Sequence, residues 1–427
     1  MSELKTSPRL RLEVRVSGQR VGVLARERHG AIRFTPDAAW LEGGQHPPLG
    51  LAFLTDPSPR LAGTGLPSWF DNLLPEVGSA LRHRICQQRG LRETDTPSLL
   101  LALGRDLPGA VEVLGESEPA ALPPEEPVAP GRLRASLAGM QLKLSMLLEG
   151  DKFVLPARGE TGRWIVKIAG ERLPELPQVE HCTMSWAEAS GLPVPRHHVL
   201  GVETLQGVPP DLLGTPRLAF AVERFDRSVD GSRIHQEDFA QALEIDARAK
   251  YADTGPRRTS YDALARLVKD VCGEDAQAQF LDRVAFTIAS GNDDAHLKNW
   301  SFQWGFDHRP RLSPCYDFVA SISWPAFGWE SPHGPPKLAL ALGRSRRFDN
   351  LDRERLRLFA QRADVPDGEE RMLAALERAR ATWAAIEDQS PARMREAVRL
   401  HWSRVPVLRS LGGLPSSTRT SRCPPSA

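Results

Sequence analysis

Residues 290–318, SGNDDAHLKNWSFQWGFDHRPRLSPCYDF, constrain the fold more than any other stretch. Ahead of them Ala276, Phe280, Val284 and Ile288 recur every four residues, the stripe of a helix buried along one face. Gly291 stands where a left-handed cap would end that helix. Behind the loop, NWSFQW and RLSPCYDF are apolar-rich runs divided by the turn-like GFDHRP, a pattern that predicts a hairpin. Helix, tight loop and hairpin must therefore follow one another, and Asn299 and Asp317 are expected at the open ends of the hairpin.

The order Asp294, then Asn299 five positions on, then Asp317 beside Phe318 suits phosphoryl transfer. In a D-x-x-x-x-N loop the Asp accepts the proton of the attacking hydroxyl and the Asn holds one Mg²⁺. An Asp before Phe holds the metal that bridges the phosphates. Both metal ligands are hard oxygens, as magnesium requires. Asp293 competes with Asp294 for the base role, and the spacing to Asn299 favours Asp294. An ordinary Asp/Asn-rich turn beside a hairpin is the other account of the same residues.

Composition limits the alternatives. A chain of 427 residues has room for two or three domains of about 150 residues each. With 41% hydrophobic and 26% charged residues it reads as soluble and globular. No apolar run approaches the roughly 18 residues of a membrane span, and MSELKTSPRLRLEV lacks a signal peptide's apolar core, so a cytoplasmic protein without membrane contact is expected. Cys86, Cys182, Cys272, Cys315 and Cys423 are scattered singly, which predicts reduced thiols, and the histidines form no ligand cluster, so a structural metal is not expected. A net charge of +1 leaves no whole-protein footprint for nucleic acid. Direct DNA contact would have to come from Arg344, Arg346 and Arg347, or from Arg393, Arg395, Arg399 and Arg404, which read more simply as solvated faces of helices and turns.

In chain order, RLRLEVRV, VGVLARE, AIRF and LGLAFL predict a small sheet. In LPSWFDNLLPEVGSALRHRI, Ser68 is expected to cap a helix from Trp69, and Pro75 to separate it from a second helix through Ile85. Asp71 and Asn72 read first as turn or cap residues there. The Pro- and Glu-rich run ESEPAALPPEEPVAP has no apolar period and marks a domain boundary. RLRASLAGMQLKLSMLLEGDKFVLP follows as strand, loop and strand, the loop being either a weak phosphate loop or an ordinary turn. RWIVKIAG sets Lys167 inside an apolar strand, where it reads as a phosphate-neutralising lysine or as an edge-strand guard. A helix from Pro177 to Gly191 carries Glu180, a partner for Lys167 or a charge at a helix N-terminus. LPVPRHHVLGVE and PRLAFAVERFDR give two more strands, the second running out into a charged hinge. From Ile234 helices are expected in HQEDFAQALEI, SYDALARLVKDV, LDRERLRLFAQRA and ERMLAALERARATWAAIEDQ, and the tail GGLPSSTRTSRCPPSA is expected to be disordered.

Taken together and in order, FDNLLPE, SLAGMQLKLSM, WIVKIA, GLPVP, VERFDR, HQEDFAQAL, DDAHLKNWSF and LSPCYDF resemble the motifs of the HipA family, the toxin kinases of type II toxin–antitoxin systems. The resemblance runs from the N-terminal sheet to about Asn350. It implies an α+β, protein-kinase-like two-lobed fold with an extra N-terminal mostly-β domain and an all-helical C-lobe. The expected division is 1–115 for the N-terminal domain, 116–131 for the linker, 132–227 for the N-lobe, 228–411 for the C-lobe and 412–427 for the tail.

Carried over position by position, the resemblance makes Asp294 the catalytic base, Asn299 and Asp317 the Mg²⁺ ligands and Lys167 the phosphate lysine. Ala138, Gly139, Met140, Gln141, Leu142 and Lys143 would cover ATP, Glu223, Arg224 and Phe225 would hold the adenine, and Gln236, His296 and Tyr316 would line the pocket. Ser136 falls where family members autophosphorylate, a change that ejects the loop and switches the enzyme off. Leu142 and Val77 depart from the family's usual residues without removing a catalytic group. The function implied is a serine/threonine kinase acting on an aminoacyl-tRNA synthetase, glutamyl-tRNA synthetase above all, and neutralised by a HipB-like helix-turn-helix antitoxin through which it would reach operator DNA. Two other readings are a corepressor module acting with that antitoxin, and a small-molecule kinase of the aminoglycoside phosphotransferase type, against which the N-terminal FDNLLPE domain speaks.

Overall fold

The computed structural model describes residues 10–27, 30–42, 48–56, 65–116, 142–156, 160–213, 217–251, 259–305 and 307–415. They gather into two compact units built from interleaved segments: Met1–Pro177, Pro195–Arg258 and His296–Pro314 in the first, and Gln178–Val194, Thr259–Ala295 and Cys315–Ala427 in the second. Among the described residues no helix is long and apolar enough to cross a membrane.

The first unit opens with β1 (Arg11–Val16), β2 (Gln19–Arg26) and β3 (Ile32–Pro36), followed by α1 (Ala38–Glu42), α2 (Leu51–Thr55), α3 (Ser68–Asp71), α4 (Ala80–Arg89), α5 (Thr96–Leu103) and β4 (Val111–Gly115). The strands form an antiparallel sheet in the order β3-β2-β1-β4. Leu12, Val14 and Val16 alternate inward along β1, as a period of two dictates. They meet Phe34, Trp69, Phe70, Leu99 and Leu100 in one core.

The unit continues with β5 (Leu142–Glu149), β6 (Lys152–Val154), β7 (Trp164–Ile168), α6 (Leu176–Ala189, most of which lies in the second unit), β8 (His197–Gly201), β9 (Leu205–Gln206), α7 (Pro210–Leu213) and β10 (Leu218–Glu223). Their sheet runs β8-β10-β7-β5-β6-β9. One face is apolar, with Leu144, Met146, Val166, Ile168, Ala219 and Ala221 packed together. Next come β11 (His235–Asp238), α8 (Phe239–Ala242), β12 (Ser301–Trp304) and β13 (Pro310–Leu312), the strands forming a three-stranded antiparallel sheet in that order.

The second unit is mainly helical: α9 (Tyr261–Cys272), α10 (Glu274–Ser290), α11 (Arg353–Ala363), α12 (Gly368–Glu387), α13 (Ala392–Arg404) and α14 (Pro406–Ser410). Ala276, Phe280, Val284 and Ile288 are all buried along α10. Gly291 caps that helix at φ +65°, and a Cβ there would come within 2.4 Å of Ile322 Cδ1, so only glycine fits.

Several expectations are corrected. LGLAFL is not a strand: Leu51–Thr55 is helical, and its first N–H, at Leu51, is satisfied by a Glu237 carboxyl oxygen 186 residues away in sequence, at 2.7 Å. HQED is strand rather than helix, since its backbone pairs with β12 from His235↔Trp304 to Asp238↔Ser301. The region after residue 228 thus carries strands among its helices, including β14 (Lys337–Leu342) and β15 (Ser345–Arg347) in the second unit. Ser68 is the first residue of α3 and makes no cap bond, the preceding residue being Pro67. The predicted hairpin is present as β12 and β13, with Asn299 closing a 3-10 turn before it and Asp317 five residues beyond it.

Candidate active site

On the first unit, β5, β7 and β10 set a polar patch on the face opposite the apolar core. Lys143 and Lys167 are direct cross-strand partners, and Lys167 faces Phe220 on β10, its Nζ 5.4 Å from the ring centroid. The two lysines are only 5% and 2% exposed. Like charges at opposed positions repel, and burial adds a desolvation cost, so such a pair favours an anionic neighbour.

At the hinge the side chains expected at the adenine have partners within the protein. Glu223 accepts from Arg196 Nε at 2.6 Å and pairs with Arg163 at 2.6 Å; Arg196 above all holds its carboxyl below the usual range. Arg224 is buried and donates to Asp226 through Nε and Nη2, both at 2.9 Å, and to Asp106 through Nη1 at 2.8 Å. Phe225 contributes its carbonyl, which accepts from Gln303 Nε2 at 2.8 Å. Gln236 stands opposite Gln303 in the β11–β12 register, and its buried Oε1 has no hydrogen-bond partner among the described residues.

The turn that ends in Asn299 belongs to this unit. His296 is buried edge-on to Tyr251, with ring centroids 5.4 Å apart, and its carbonyl accepts the Asn299 N–H at 2.9 Å. Leu297 donates its N–H to Lys250 O at 3.1 Å. Lys298, which the motif treats as a free position, is anchored to Asn72 and Asp238.

The second unit carries the carboxylates. Past Gly291, the Asp293 N–H donates to Ser321 Oγ at 2.8 Å and the Asp294 N–H to Asn292 Oδ1 at 3.0 Å. Burial, which outweighs the Ser321 hydrogen bond, pushes the Asp293 carboxyl up to about 7. Asp294 is the exposed member of the pair. Tyr261 steadies the loop by donating its buried hydroxyl to Ala295 O at 2.8 Å.

Asp317 adopts φ +54°, a left-handed conformation uncommon for a residue with a Cβ and typical of functional loops. Its flanks hold it there. Cys315 N–H bonds Pro193 O at 2.8 Å, Phe318 stacks on Phe286 with centroids 5.5 Å apart, and Ala320 N–H bonds Thr183 Oγ1 at 3.0 Å. Ser321 ties this segment to the Asp294 loop, since its Oγ also donates to Gly291 O. The structure therefore couples Asp294, Tyr316 and Asp317 within one unit, and Lys143, Lys167, Gln236, His296 and Asn299 lie on the other. Ser136, Ala138, Gly139, Met140 and Gln141 fall outside the described residues, and Leu142 opens β5.

Of the arginines considered for DNA, Arg347 is paired bidentately with Asp349 and Arg399 with Glu387. Arg346 and Arg395 donate to the carbonyls of Leu338 and Ser390.

Comparison with known proteins fits this geometry. The family described as HipA N-terminal domain matches residues 12–114 and the HipA-like C-terminal domain matches residues 135–389. The "Putative kinase Y4dM" of Sinorhizobium fredii is 32% identical over 396 residues, 89% of this chain and 93% of that protein. "Serine/threonine-protein kinase toxin HipA" of Shewanella oneidensis is 27% identical over 361 residues, 74% of this chain and 76% of that protein. A chain of the solved S. oneidensis complex of HipA, HipB and operator DNA shares the fold, with a TM-score of 0.70 at 22% identity, over 94% of this chain and 99% of that one. The α+β architecture is thus that of HipA, a kinase-like fold. Two domain matches covering most of the sequence and a relative 32% identical over 89% of it lead to one assignment: the chain belongs to the HipA family.

Proposed function

We propose that the protein is a serine/threonine-protein kinase that uses ATP and Mg²⁺ to phosphorylate a translation-related protein, an aminoacyl-tRNA synthetase, and itself at Ser136. The observation that carries the reading is the buried, opposed pair Lys143 and Lys167, which suits a polyanion such as a nucleotide triphosphate. A relative named as a serine/threonine-protein kinase toxin supports the same chemistry.

The donor set fits magnesium. Among the described residues no three His, Cys, Asp or Glu side chains gather into a site. Mg²⁺ does not require one, because it is held by one or two protein oxygens together with phosphates and water. Asn299 and Asp317 would supply those oxygens. When bound, the ion would neutralise charge that builds up on the transferred phosphoryl group.

The protein's own residues do the rest. Asp294, exposed beyond α10, accepts the proton of the substrate serine hydroxyl. Asp293, with its carboxyl raised by burial to about 7, is about half protonated near neutrality, which favours its exposed neighbour as the base. Lys167 and Lys143 hold the phosphates, and the main chain at Glu223 to Phe225, with Gln236, His296 and Tyr316, encloses the nucleotide. Catalysis comes from positioning and charge neutralisation, with no covalent intermediate.

A HipB-like antitoxin is the proposed partner, supported by the solved complex that shares this fold. Contact with operator DNA would run mainly through it, in keeping with the internal pairing of Arg347 and Arg399. The test is incubation of the purified chain with labelled ATP, Mg²⁺ and candidate synthetases. Label on Ser136 or on a synthetase is expected, with a loss of about 10² to 10⁴ in rate for Asp294→Ala. Label retained in that variant refutes the base assignment.

A further inference from the structure

The turn that presents Asn299 is gripped by residues outside every phosphate-transfer motif. Lys298 precedes Asn299 in the 3-10 turn Leu297–Asn299. Its ammonium donates to Asn72 O at 2.8 Å, Asn72 Oδ1 at 3.0 Å and Asp238 Oδ2 at 2.7 Å, so its three protons have three acceptors in a nearly closed pocket.

Each acceptor is fixed in turn. Asn72 Nδ2 donates to Ser68 O at 2.9 Å and Ile245 O at 2.8 Å. Asp238 uses Oδ1 to cap α8 through the Gln241 N–H at 2.8 Å, while Gln241 returns a bond to the Asp238 N–H and donates Nε2 to Trp69 O at 3.2 Å. A second tether runs in parallel. Glu76 accepts from Lys250 Nζ at 2.7 Å, and Lys250 O accepts the Leu297 N–H at 3.1 Å. Asn72 and Glu76 both belong to the run FDNLLPE, whose Pro75 carbonyl is held by the buried Arg82 at 3.0 Å.

Two tethers from one seven-residue run thus reach two successive residues of the turn immediately ahead of Asn299. Partly burying two ammonium–carboxylate pairs gains little stability compared with apolar packing, but it fixes orientation. We infer that Asn72 and Glu76, acting through Lys298 and Lys250, are positioning residues that set the orientation of the Asn299 turn, so that the N-terminal FDNLLPE run is a working part of the kinase. The inference rests on the phosphotransfer reading above.

The test uses the full-length chain carrying Lys298→Met, Asn72→Ala, Lys250→Met or the Lys298→Met/Asn72→Ala pair, beside wild type and Asp294→Ala. Three quantities are read: Mg²⁺ binding by calorimetry with a non-hydrolysable ATP analogue, Mg²⁺ activation of ATP turnover, and hydrogen exchange of amides 297–299 in the free protein. Loss of groups that orient a metal ligand lowers metal affinity about 10- to 100-fold, so Lys298→Met and Asn72→Ala should bind Mg²⁺ at least tenfold more weakly. Their kcat at saturating Mg²⁺ should fall much less. Amides 297–299 should exchange faster, Lys298→Arg should recover part of the affinity, and the paired variant should match Lys298→Met within about twofold, because both remove one shared contact.

Wild-type Mg²⁺ affinity in a folded Lys298→Met, or additive losses in the pair, overturns the inference. So does failure of all the variants to fold, which would show the contacts to be structural only. An active wild type with a normal Lys298→Met sinks the inference alone, whereas a wild type inert toward ATP sinks the kinase reading and this inference with it.

Discussion

Replacing Arg224 by Met separates a structural role for that residue from a nucleotide-binding one. Arg224, Arg227, Asp106 and Asp226 form a four-charge cluster with every side chain 5% exposed or less. Arg224 provides most of its order, holding Asp226 by two parallel bonds, Asp106 by one, and donating further to Ser145 Oγ and Leu107 O. Met fills much the same volume, so the loss is electrostatic. Two buried carboxylates would remain with Arg227 alone. Breaking a buried pair from one side costs about 3–5 kcal/mol. Asp106 Oδ2 already has no hydrogen-bond partner among the described residues, which places the expected loss near the upper end.

Urea unfolding followed by tryptophan fluorescence reads the change as a shift in midpoint at unaltered slope. Arg224→Met/Asp226→Leu should recover at least half of the loss. The residue of the deficit, about 1–3 kcal/mol, would come from the Gly109 N–H, which now donates to Asp226 Oδ2 at 2.7 Å. Both carboxyls of the cluster lie below their usual range, because the two arginines outweigh burial, so the stabilisation holds above the unfolded value near 3.9 and disappears as pH falls through the folded one. A loss under about 1 kcal/mol, or a raised KM for ATP in an otherwise stable Arg224→Met, would refute the structural assignment.

Gly291→Ala should destabilise the second unit by about 2–4 kcal/mol, from the left-handed backbone and the Ile322 clash together, with Ile322→Val recovering part of it in thermal unfolding. Lys167→Met should lower ATP turnover by about 10²- to 10³-fold while leaving the unfolding midpoint within a few degrees, measured by steady-state kinetics and calorimetry. His235 and His401 are fully buried, donate to Leu49 O and Ile288 O through Nε2, and are lowered to about 4 by burial. The unfolded chain binds more protons than the folded one between pH 4 and 6.5, so stability falls on acidification, by about 2 kcal/mol per histidine from pH 7 to 5. Urea midpoints at those two pH values, in wild type and His401→Gln, check the slope.

Periodicity made some of this molecule legible. The alternation of Leu12, Val14 and Val16, the four-residue stripe of α10 and its glycine cap are local patterns, and local patterns survive folding. The burial of Lys167 could be read from its apolar neighbours, Val166 and Ile168. What escaped depends on partners far along the chain. LGLAFL has the composition of a strand, and the carboxyl that satisfies the first N–H of the helix it forms lies 186 residues away. HQED looks helical until β12 offers its backbone bonds. β4 and α13 gave no separate signal, the first being a five-residue run completed by β1 and the second a charged surface helix with four buried residues. Lys298 occupies a position that the motif leaves open, and its acceptor Asn72 is 226 residues away.

Strand β11 carries two sets of obligations on its two sides. His235 and Glu237 are buried, reaching Leu49 O and the Leu51 N–H with Trp69 Nε1, whereas Gln236 and Asp238 are half-buried, and Asp238 grips Lys298. Because neighbouring residues of a strand point to opposite sides, adding or deleting a single residue here would exchange the two sets at a stroke. The N-terminal core would receive an amide and lose its carboxylate, and Lys298 would lose its anchor. Length at this point should accordingly be invariant among functional variants, even where individual side chains are free to change.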